Sequence, residues 1–131
     1  MKLYRIILPV NNIDEAEKFY SKIFGMNGTR VSPGRHYFDL AGTILACYDP
    51  RADGDDADPR WQPHENQYIY ISVDDLEETF ETVRGLNPRR LDEKIETMPW
   101  GEKLFYLNDP WGNPVCFVDN STLFMGDKEG L

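Results

Sequence analysis

The sequence predicts an α+β fold of two tandem βαβββ modules, and three observations support this prediction. Segments with strand and helix patterns follow one another in the order strand, helix and three strands, and that order occurs twice. The strand-to-helix junction also repeats, since Val10–Glu15 reads Val-Asn-Asn-Ile-Asp-Glu and Val73–Glu78 reads Val-Asp-Asp-Leu-Glu-Glu. Between the halves, residues 49–66 contain three prolines and six acidic residues and show no period.

Length and composition favour a single domain over residues 1–131. A chain of 131 residues with 40% apolar and 13% aromatic residues can bury one substantial core. We place module one at about residues 1–49, a solvated linker or long loop at about 50–66, and module two at about 67–120. The tail, residues 121–131, is mixed in composition, and we expect its last five residues to be frayed.

Module one opens with a strand over residues 3–10 and continues directly into a helix. Asn12 is the expected N-cap, Glu15 follows three residues later as in a capping box, and Gly25 marks the end of the helix. Apolar residues recur at helical spacing between these signals and predict one buried stripe. Further strands are expected over residues 28–32, 35–41 and 43–49.

Module two repeats this arrangement. A strand over residues 67–73 precedes a helix that Asp75 caps, with Glu78 completing a second capping box and Gly85 at the end. The turn Asp109-Pro110-Trp111-Gly112 separates the last two strands. The expected strands of this module cover residues 89–96, 102–108 and 113–119.

Strand side chains alternate between two faces, so each strand can be divided by chemistry. The uniformly apolar faces predict packing against the two helices, and they comprise Ile6, Leu8 and Val10, then Ile69, Ile71 and Val73, then Val115 and Phe117. The opposite faces carry Arg5 and Ile7, then Tyr68, Tyr70 and Ser72, then Cys116 and Val118. We therefore expect mixed sheets curved into a cup that is wet or filled by a ligand.

Charge and cysteine content exclude several functional classes. A net charge of -9 repels phosphate backbones and anionic lipids, so neither nucleic acid nor membrane is an expected partner. The chain has no long apolar run, and its opening residues lack the apolar region of a signal peptide, which makes a cytoplasmic location the expectation. Two cysteines, Cys47 and Cys116, form neither a disulfide framework nor a zinc motif.

Four segments make the chain resemble the vicinal oxygen chelate superfamily, which includes glyoxalase I, extradiol dioxygenases and bleomycin-resistance proteins. The resemblance covers about residues 3–119 and implies two βαβββ modules whose sheets close into a cup, commonly in a homodimer. It leaves function open, because fold and chemistry separate freely in such superfamilies. The segments are Ile13–Tyr20 with the following Gly25, Val73–Leu76, Trp100–Lys103 and Asp109–Pro114.

The resemblance also implies four inward-facing positions that hold a metal ion in metal-using members, usually as His or Glu. In this chain those positions are Arg5, Ala46, Tyr68 and Cys116. A guanidinium stays protonated and alanine offers no donor, so this set does not suit a divalent metal. We therefore expect no metal and no cofactor.

Arg5 is the first candidate for ligand contact. Inside a cup, its guanidinium would hold a carboxylate or another anion in a bidentate pair. The structural alternative is an internal ion pair with Glu102 or Asp39, or exposure at the edge of the strand.

The other ligand-binding candidates are aromatic or small. Tyr68 and Tyr70 lie two residues apart on one strand face, and Tyr48 shares the face of Ala46, so these residues either line an aromatic pocket or fill it with bulk. The resemblance implies that Trp100 lies at the pocket rim, because bleomycin-resistance-like members carry a Trp-Gly before a strand of the cup.

Cys116 completes the candidate set. It would act as a nucleophile only if a neighbour such as Arg5 lowered its thiol pKa, and otherwise it is a small buried hydrophobe. His36 and His64 are expected to be exposed or hydrogen-bonded. Trp61 and Trp111 are expected at a dimer contact or over a pocket, although one of them could simply cover the core.

Three functions compete on these observations. The first is a metal-independent, small-molecule-binding homodimer whose ligand is aromatic or amphipathic, with the anionic end that Arg5 favours. The second is a superfamily enzyme, a lyase, isomerase or dioxygenase acting on a small oxygenated substrate through a different metal site or through acid–base groups such as Glu102. The third is a non-catalytic interaction module with a filled cup.

Overall fold

The computed structural model describes residues 1–56, 58 and 61–126. The chain divides into two compact units, Met1–His64 and Glu65–Leu131. Each unit packs one helix against one face of a mixed sheet, so the α+β prediction is confirmed. None of the helices in the described part of the chain is long and apolar enough to cross a membrane.

The first unit has the predicted order of strand, helix and three strands. Its sheet runs in the order β1-β4-β3-β2, with β1 parallel to β4 and the other neighbours antiparallel. The elements are β1 (Arg5–Pro9), α1 (Ile13–Phe24), β2 (Thr29–Ser32), β3 (Arg35–Leu40) and β4 (Thr43–Tyr48).

Helix α1 begins and ends at the residues that the sequence indicated. The Asn12 side chain accepts a hydrogen bond from the Glu15 backbone N–H at 3.1 Å, which satisfies one free donor of the first turn. Gly25 adopts the left-handed conformation at φ 65° and donates its N–H to the Ser21 carbonyl. The buried stripe of the helix lies on Phe38, whose ring is fully buried and 5.3 Å from the ring of Phe24.

The second unit is built on the same plan with one additional break. Its sheet runs in the order β5-β9-β8-β6, β7 also pairs with β8, and β5 is parallel to β9. The elements are β5 (Ile69–Val73), α2 (Leu76–Arg84), β6 (Arg90–Leu91), β7 (Glu96–Thr97), β8 (Lys103–Asn108) and β9 (Pro114–Asp119), followed by a 3-10 turn at Asn120–Thr122.

The prediction of a single strand over residues 89–96 was wrong. Two short strands, β6 and β7, occur instead, and they are separated by residues 92–95. Asp92 lies between them, and its carboxylate accepts a hydrogen bond from the Tyr106 backbone N–H at 2.9 Å. A side-chain oxygen therefore takes the place that a neighbouring strand carbonyl would occupy in a continuous ladder. The chain leaves the sheet after Leu91 and returns at Glu96.

Helix α2 is held as the sequence predicted. The Asp75 carboxylate accepts a hydrogen bond from the Glu78 backbone N–H at 3.0 Å. On the sheet side, the ring of Phe80 lies 5.0 Å from that of Phe105, which in turn lies 5.5 Å from that of Phe117. These contacts form the core beneath the helix.

The sheet face away from each helix is called its open face below. Strand register defines the first open face by Arg5, Ile7, Arg35, Tyr37, Asp39, Ile44, Ala46 and Tyr48. It defines the second open face by Tyr70, Ser72, Arg90, Glu96, Leu104, Tyr106, Asn108, Pro114, Cys116 and Val118, with Tyr68 two residues before Tyr70. Leu8 and Val10 are buried on the helix side, whereas Arg5 and Ile7 are exposed, so the predicted division of the first strand is confirmed.

The two remaining segments were expected to be irregular. Residues 50–54 form a turn in which the backbone N–H of Asp53 donates a hydrogen bond to the carbonyl oxygen of Pro50, with N and O 3.2 Å apart. The expectation of frayed ends falls on residues 127–131, which lie outside the described residues.

Candidate functional site

Arg5 lies at one end of the first open face, and aromatic groups hold it there. Its Nη1 donates a hydrogen bond to the hydroxyl oxygen of Tyr37 at 3.1 Å. Its guanidinium carbon lies 5.3 Å from the centre of the Tyr4 ring and 5.6 Å from that of Tyr37. Within the described residues of its own unit, no carboxylate pairs with Arg5; Asp39 instead accepts from the Gly42 N–H at 2.7 Å. Arg5 is therefore an oriented positive charge without an ionic partner among the described residues of its unit.

The other end of the first open face is already occupied by an ionic network. Arg35 pairs with the carboxylate of Asp53, whose side chain is only 6% exposed, and its guanidinium carbon lies 4.1 Å from the centre of the Tyr48 ring. The Tyr48 hydroxyl donates to Asp55, and this hydrogen bond is the main reason why the pKa of Tyr48 is raised. The ring of Trp61 packs edge-on against Tyr48 at 5.5 Å. The acidic segment after β4 thus turns back onto its own sheet.

Ala46 lies in the middle of the first open face, between these two ends. It is 2% exposed and stands opposite Ile7 on one side and Tyr37 on the other. The next residue in the chain, Cys47, is fully buried on the helix side of the sheet. Ala46 therefore forms part of the floor of this face, and its neighbours cover it.

Three tyrosines meet on the second open face. The Tyr106 ring lies 5.1 Å from that of Tyr68 and 6.3 Å from that of Tyr70, both nearly perpendicular to it. The hydroxyl oxygens of Tyr70 and Tyr106 are 3.3 Å apart. This hydrogen bond, followed by burial, raises the pKa of Tyr106 and keeps its hydroxyl protonated. Tyr70 is 57% exposed, so this cluster presents aromatic surface to solvent.

Cys116 lies beneath the tyrosines and has no exposed surface. It forms a small apolar cluster with Leu104 and Val118, against which Met98 and Tyr106 pack. Burial raises the pKa of its thiol to about 12, and the carboxylates of Glu102 and Asp92 act in the same direction. A thiol in this state is a poor nucleophile and a poor metal ligand at neutral pH.

Glu102 and Trp100 form a fixed pair at the start of β8. The indole N–H of Trp100 donates to one carboxylate oxygen of Glu102 at 2.7 Å, and the Phe124 backbone N–H donates to the other at 3.1 Å. Among the described residues of this unit, no cation pairs with Glu102. The Asp92 carboxylate, by contrast, forms an ion pair with Arg90, whose Nη1 lies 2.9 Å from its Oδ1. The half-exposed indole of Trp100 therefore lies beside a carboxylate whose hydrogen-bond donors, among the residues described, are neutral.

Other residues noted in the sequence have structural roles. His36 is buried on the helix side, where its Nε2 lies 2.7 Å from the Asn27 carbonyl and its Nδ1 accepts from Arg30 Nε at 3.2 Å. Trp111 is half-buried in its turn, and its backbone N–H donates to the Asp109 carboxylate at 3.0 Å. His36 is thus hydrogen-bonded, one of the two outcomes expected for it.

Comparison with known proteins now identifies the family. Residues 2–117 match the sequence profile of the Glyoxalase/Bleomycin resistance protein/Dioxygenase superfamily. The chain belongs to this superfamily. A glyoxylase-like domain-containing protein of Didymella fabae is 28% identical over 114 residues, which are 82% of this chain and 85% of that protein.

Solved structures of the superfamily share this fold. Lactoylglutathione lyase from Agrobacterium tumefaciens matches with a TM-score of 0.67 at 21% identity, covering 91% of this chain and 93% of that one. A glyoxalase-related enzyme from Fulvimarina pelagi matches with a TM-score of 0.73 at 18% identity, covering 92% and 89% of the two chains. At these identities the likeness establishes the fold alone.

The superfamily's metal positions can be tested against the side chains present. At the positions that the resemblance assigns, Arg5 is a cation, Ala46 has no donor atom, and the thiol of Cys116 holds its proton up to a pKa of about 12. Across residues 1–56, 58 and 61–126, no three or more His, Cys, Asp or Glu side chains form a group that could hold a metal ion. These donors do not fit a divalent cation.

Sequence reasoning missed two tyrosines and two aspartates of these faces. Tyr37 lies directly opposite Ala46 in register, and Tyr106 lies opposite Cys116. Pairing the expected strands in sequence would therefore have predicted both tyrosines on these faces. Asp53 and Asp55 gave no such signal, because they belong to a segment without periodicity. The candidates Arg5, Ala46 and Tyr48 share the first open face, and Tyr68, Tyr70 and Cys116 share the second, with Trp100 beside it.

Proposed function

We propose that this chain binds a small aromatic or amphipathic molecule with an anionic end and that it does so without a metal ion. The ligand-binding residues in this proposal are Arg5, Ala46, Tyr48, Tyr68, Tyr70, Trp100 and Cys116. Ala46 and Cys116, which are buried, contribute the floors on which the larger side chains stand. We further propose a homodimer as the binding form.

One observation carries this proposal, namely that Arg5 is oriented but has no ion pair with the part of its unit that the structure describes. The Tyr37 hydroxyl and two aromatic rings hold its guanidinium. Arginine binds carboxylates through two parallel hydrogen bonds, and aromatic surface beside it suits an aromatic acid. Arg35 of the same face, by contrast, is already paired with the carboxylate of Asp53.

The proposal of metal independence has separate support. The assigned metal positions offer an arginine, an alanine, a tyrosine and a protonated thiol. An anion held by Arg5 needs no Lewis acid to neutralise it, because the guanidinium is charged at every physiological pH.

Calorimetric titration with 2-naphthoate and its uncharged analogue 2-naphthamide tests the anionic end directly. We expect 2-naphthoate to bind more tightly, and we expect Arg5→Gln to weaken its binding by at least about ten-fold, since hydrogen bonds to charged groups contribute more than neutral ones. Arg84→Gln is the matched control, because it removes the same charge from an arginine of α2 whose partner is Glu81. It should leave both affinities unchanged.

Metal independence is tested on the same protein. Binding of 2-naphthoate should be equal after treatment with chelator and after addition of Mg²⁺, Ni²⁺ or Zn²⁺. Native mass spectrometry should give a dimer without bound metal. Equal affinities for the acid and the amide would contradict the proposal that the ligand has an anionic end. Binding that required one divalent ion per chain would contradict metal independence and favour a superfamily enzyme.

A further inference from the structure

Two carboxylates of the acidic segment after β4 contact Arg35 on the first open face. Nη1 of Arg35 pairs with Asp53, and its Nη2 lies 3.8 Å from Oδ2 of Asp55. The Tyr48 hydroxyl donates a hydrogen bond to that same oxygen of Asp55. Because the guanidinium carbon of Arg35 lies 4.1 Å from the centre of the Tyr48 ring, a positive charge and a hydroxyl donor are directed together at one carboxylate oxygen.

The two carboxylates differ in how firmly they are held. The Asp53 side chain is 6% exposed, and besides Arg35 it accepts hydrogen bonds from the Ser32 hydroxyl and the Gly34 backbone N–H. The Asp55 side chain is 47% exposed, and its carboxylate is held by the two contacts just described. Asp53 therefore anchors the segment to the sheet, whereas the Asp55 carboxylate can leave without breaking that anchor.

The backbone at Asp55 is held independently of its side chain. Its N–H donates to the Pro50 carbonyl at 2.9 Å, and the preceding Gly54 N–H donates to the Arg51 carbonyl at 3.0 Å. Rotation about the side-chain bonds of Asp55 therefore moves the carboxylate into solvent while the turn stays in place. That rotation exposes the Tyr48 hydroxyl to an incoming anion.

We infer that Arg35 and Tyr48 form a binding site for a small organic carboxylate and that Asp55 occupies this site as an intramolecular competitor. The guanidinium supplies the charge, the phenol supplies a hydrogen bond, and the rings of Tyr48 and Trp61, 5.5 Å apart, supply contacts for the body of the acid. The entering carboxylate replaces the leaving one, so Arg35 keeps its counter-charges. This inference rests on the proposed function in treating the first open face as the ligand-binding surface, and it adds a means of regulating that surface.

Benzoate and benzamide, its uncharged analogue, are the test probes. Their dissociation constants are measured on the full chain by two-dimensional ¹H–¹⁵N NMR titration, followed at the Trp61 indole N–H and the Gly54 amide. We expect Asp55→Ala to tighten benzoate binding by about three-fold or more, because the apparent affinity scales with the fraction of molecules whose site is free. Benzamide binding should stay nearly unchanged.

Two further variants separate competition from a general change in charge. Asp56→Ala is the matched control, since it removes the same charge from the next exposed residue, and it should leave benzoate binding nearly unchanged. Tyr48→Phe keeps the ring but removes the donor, so adding it to Asp55→Ala should cancel most of the gain. An equal gain for benzamide, an equal gain with Asp56→Ala, or no gain with Asp55→Ala would each overturn the inference.

The same comparison in an Arg5→Gln background separates this site from the one proposed at Arg5. A gain from Asp55→Ala that persists there supports the site at Arg35, whereas its loss would assign the gain to Arg5 and overturn the inference. Because 2-naphthoate binding by the Arg5 variant is measured independently, failure of this site is distinguishable from failure of the proposed function.

Discussion

The two units share a plan on their helix sides and differ on their open faces. Each helix is capped by one Asn or Asp side chain, and each covers an aromatic residue of the sheet, Phe38 in the first unit and Phe105 in the second. On the open faces, Arg5 of the first unit has no ion pair among the described residues of that unit, whereas three tyrosines over a buried thiol occupy the second. The repeat has therefore kept the residues that make the fold and diverged in those that remain available to a ligand.

The largest expected effect concerns the shared helix-side cores. Phe38→Ala and Phe105→Ala should each lower the free energy of unfolding by about 3–5 kcal/mol, because each removes a fully buried ring. Denaturation by urea, followed by far-UV circular dichroism, measures this. A cost below about 1 kcal/mol in either unit would show that the two cores are not equivalent.

The ion pair of the first open face should be the next largest contributor. Arg35→Ala leaves the carboxylate of Asp53 without its cation, although Ser32 and the Gly34 N–H still donate to it. We expect a loss of about 1–3 kcal/mol in the free energy of unfolding. Restoration of full stability by the double variant Arg35→Ala with Asp53→Asn would confirm that the unpaired carboxylate is the cause.

The helix caps should contribute less and should contribute equally. Asn12→Ala and Asp75→Ala each remove one side-chain acceptor for an N–H of the first turn, which costs about 1 kcal/mol. Thermal unfolding of both variants checks this. Asn12→Ser and Asp75→Ser, which keep an acceptor, should lose only a fraction of that amount.

Arg5 should matter for binding and hardly at all for stability. It is exposed and has no ion pair with residues 1–56, 58 or 61–64, so Arg5→Gln should change the free energy of unfolding by no more than about 0.5 kcal/mol. The same urea titration measures this change. A loss of several kcal/mol would instead identify Arg5 as a structural residue and remove the main support for the anionic ligand.

The smallest effect is expected at the thiols. Cys47 and Cys116 are fully buried, so neither should react with iodoacetamide in the native chain at pH 8. The pKa of the Cys116 thiol is raised from about 9 to about 12, so its contribution to the free energy of unfolding is fully present below pH 9. Its contribution should decline as the pH rises toward 12, because the unfolded chain loses the thiol proton first. Rapid alkylation of native Cys116 would contradict this assignment.

The sequence predicted most of the fold, because local signals determine it. Asn12 and Asp75 are capping residues at fixed offsets from apolar stripes, and Gly25 supplies a left-handed helix end, so both helices were readable from neighbours in the chain. The alternation in β1 also divided its two faces correctly. These signals need no knowledge of distant contacts.

The features that were not predicted depend on long-range contacts. Asp92 interrupts an expected strand by binding the Tyr106 N–H, fourteen positions away. Asp53 and Asp55 return from an aperiodic segment to bind Arg35 and Tyr48. In each case an acidic side chain finds a partner that only the folded sheet brings near. Composition had marked Asp53 and Asp55 as solvated, and the strand pattern had placed Asp92 inside a strand.

The central claim is that Arg5 on the first open face binds the anionic end of the ligand. Two-dimensional ¹H–¹⁵N NMR spectra of the labelled chain, titrated separately with 2-naphthoate and with 2-naphthamide, test this most directly. The account predicts that 2-naphthoate shifts amide signals around Arg5 and Tyr37, and that 2-naphthamide at the same concentration shifts them less. Equal shifts by both probes, or 2-naphthoate binding that leaves the signals around Arg5 unchanged, would contradict it.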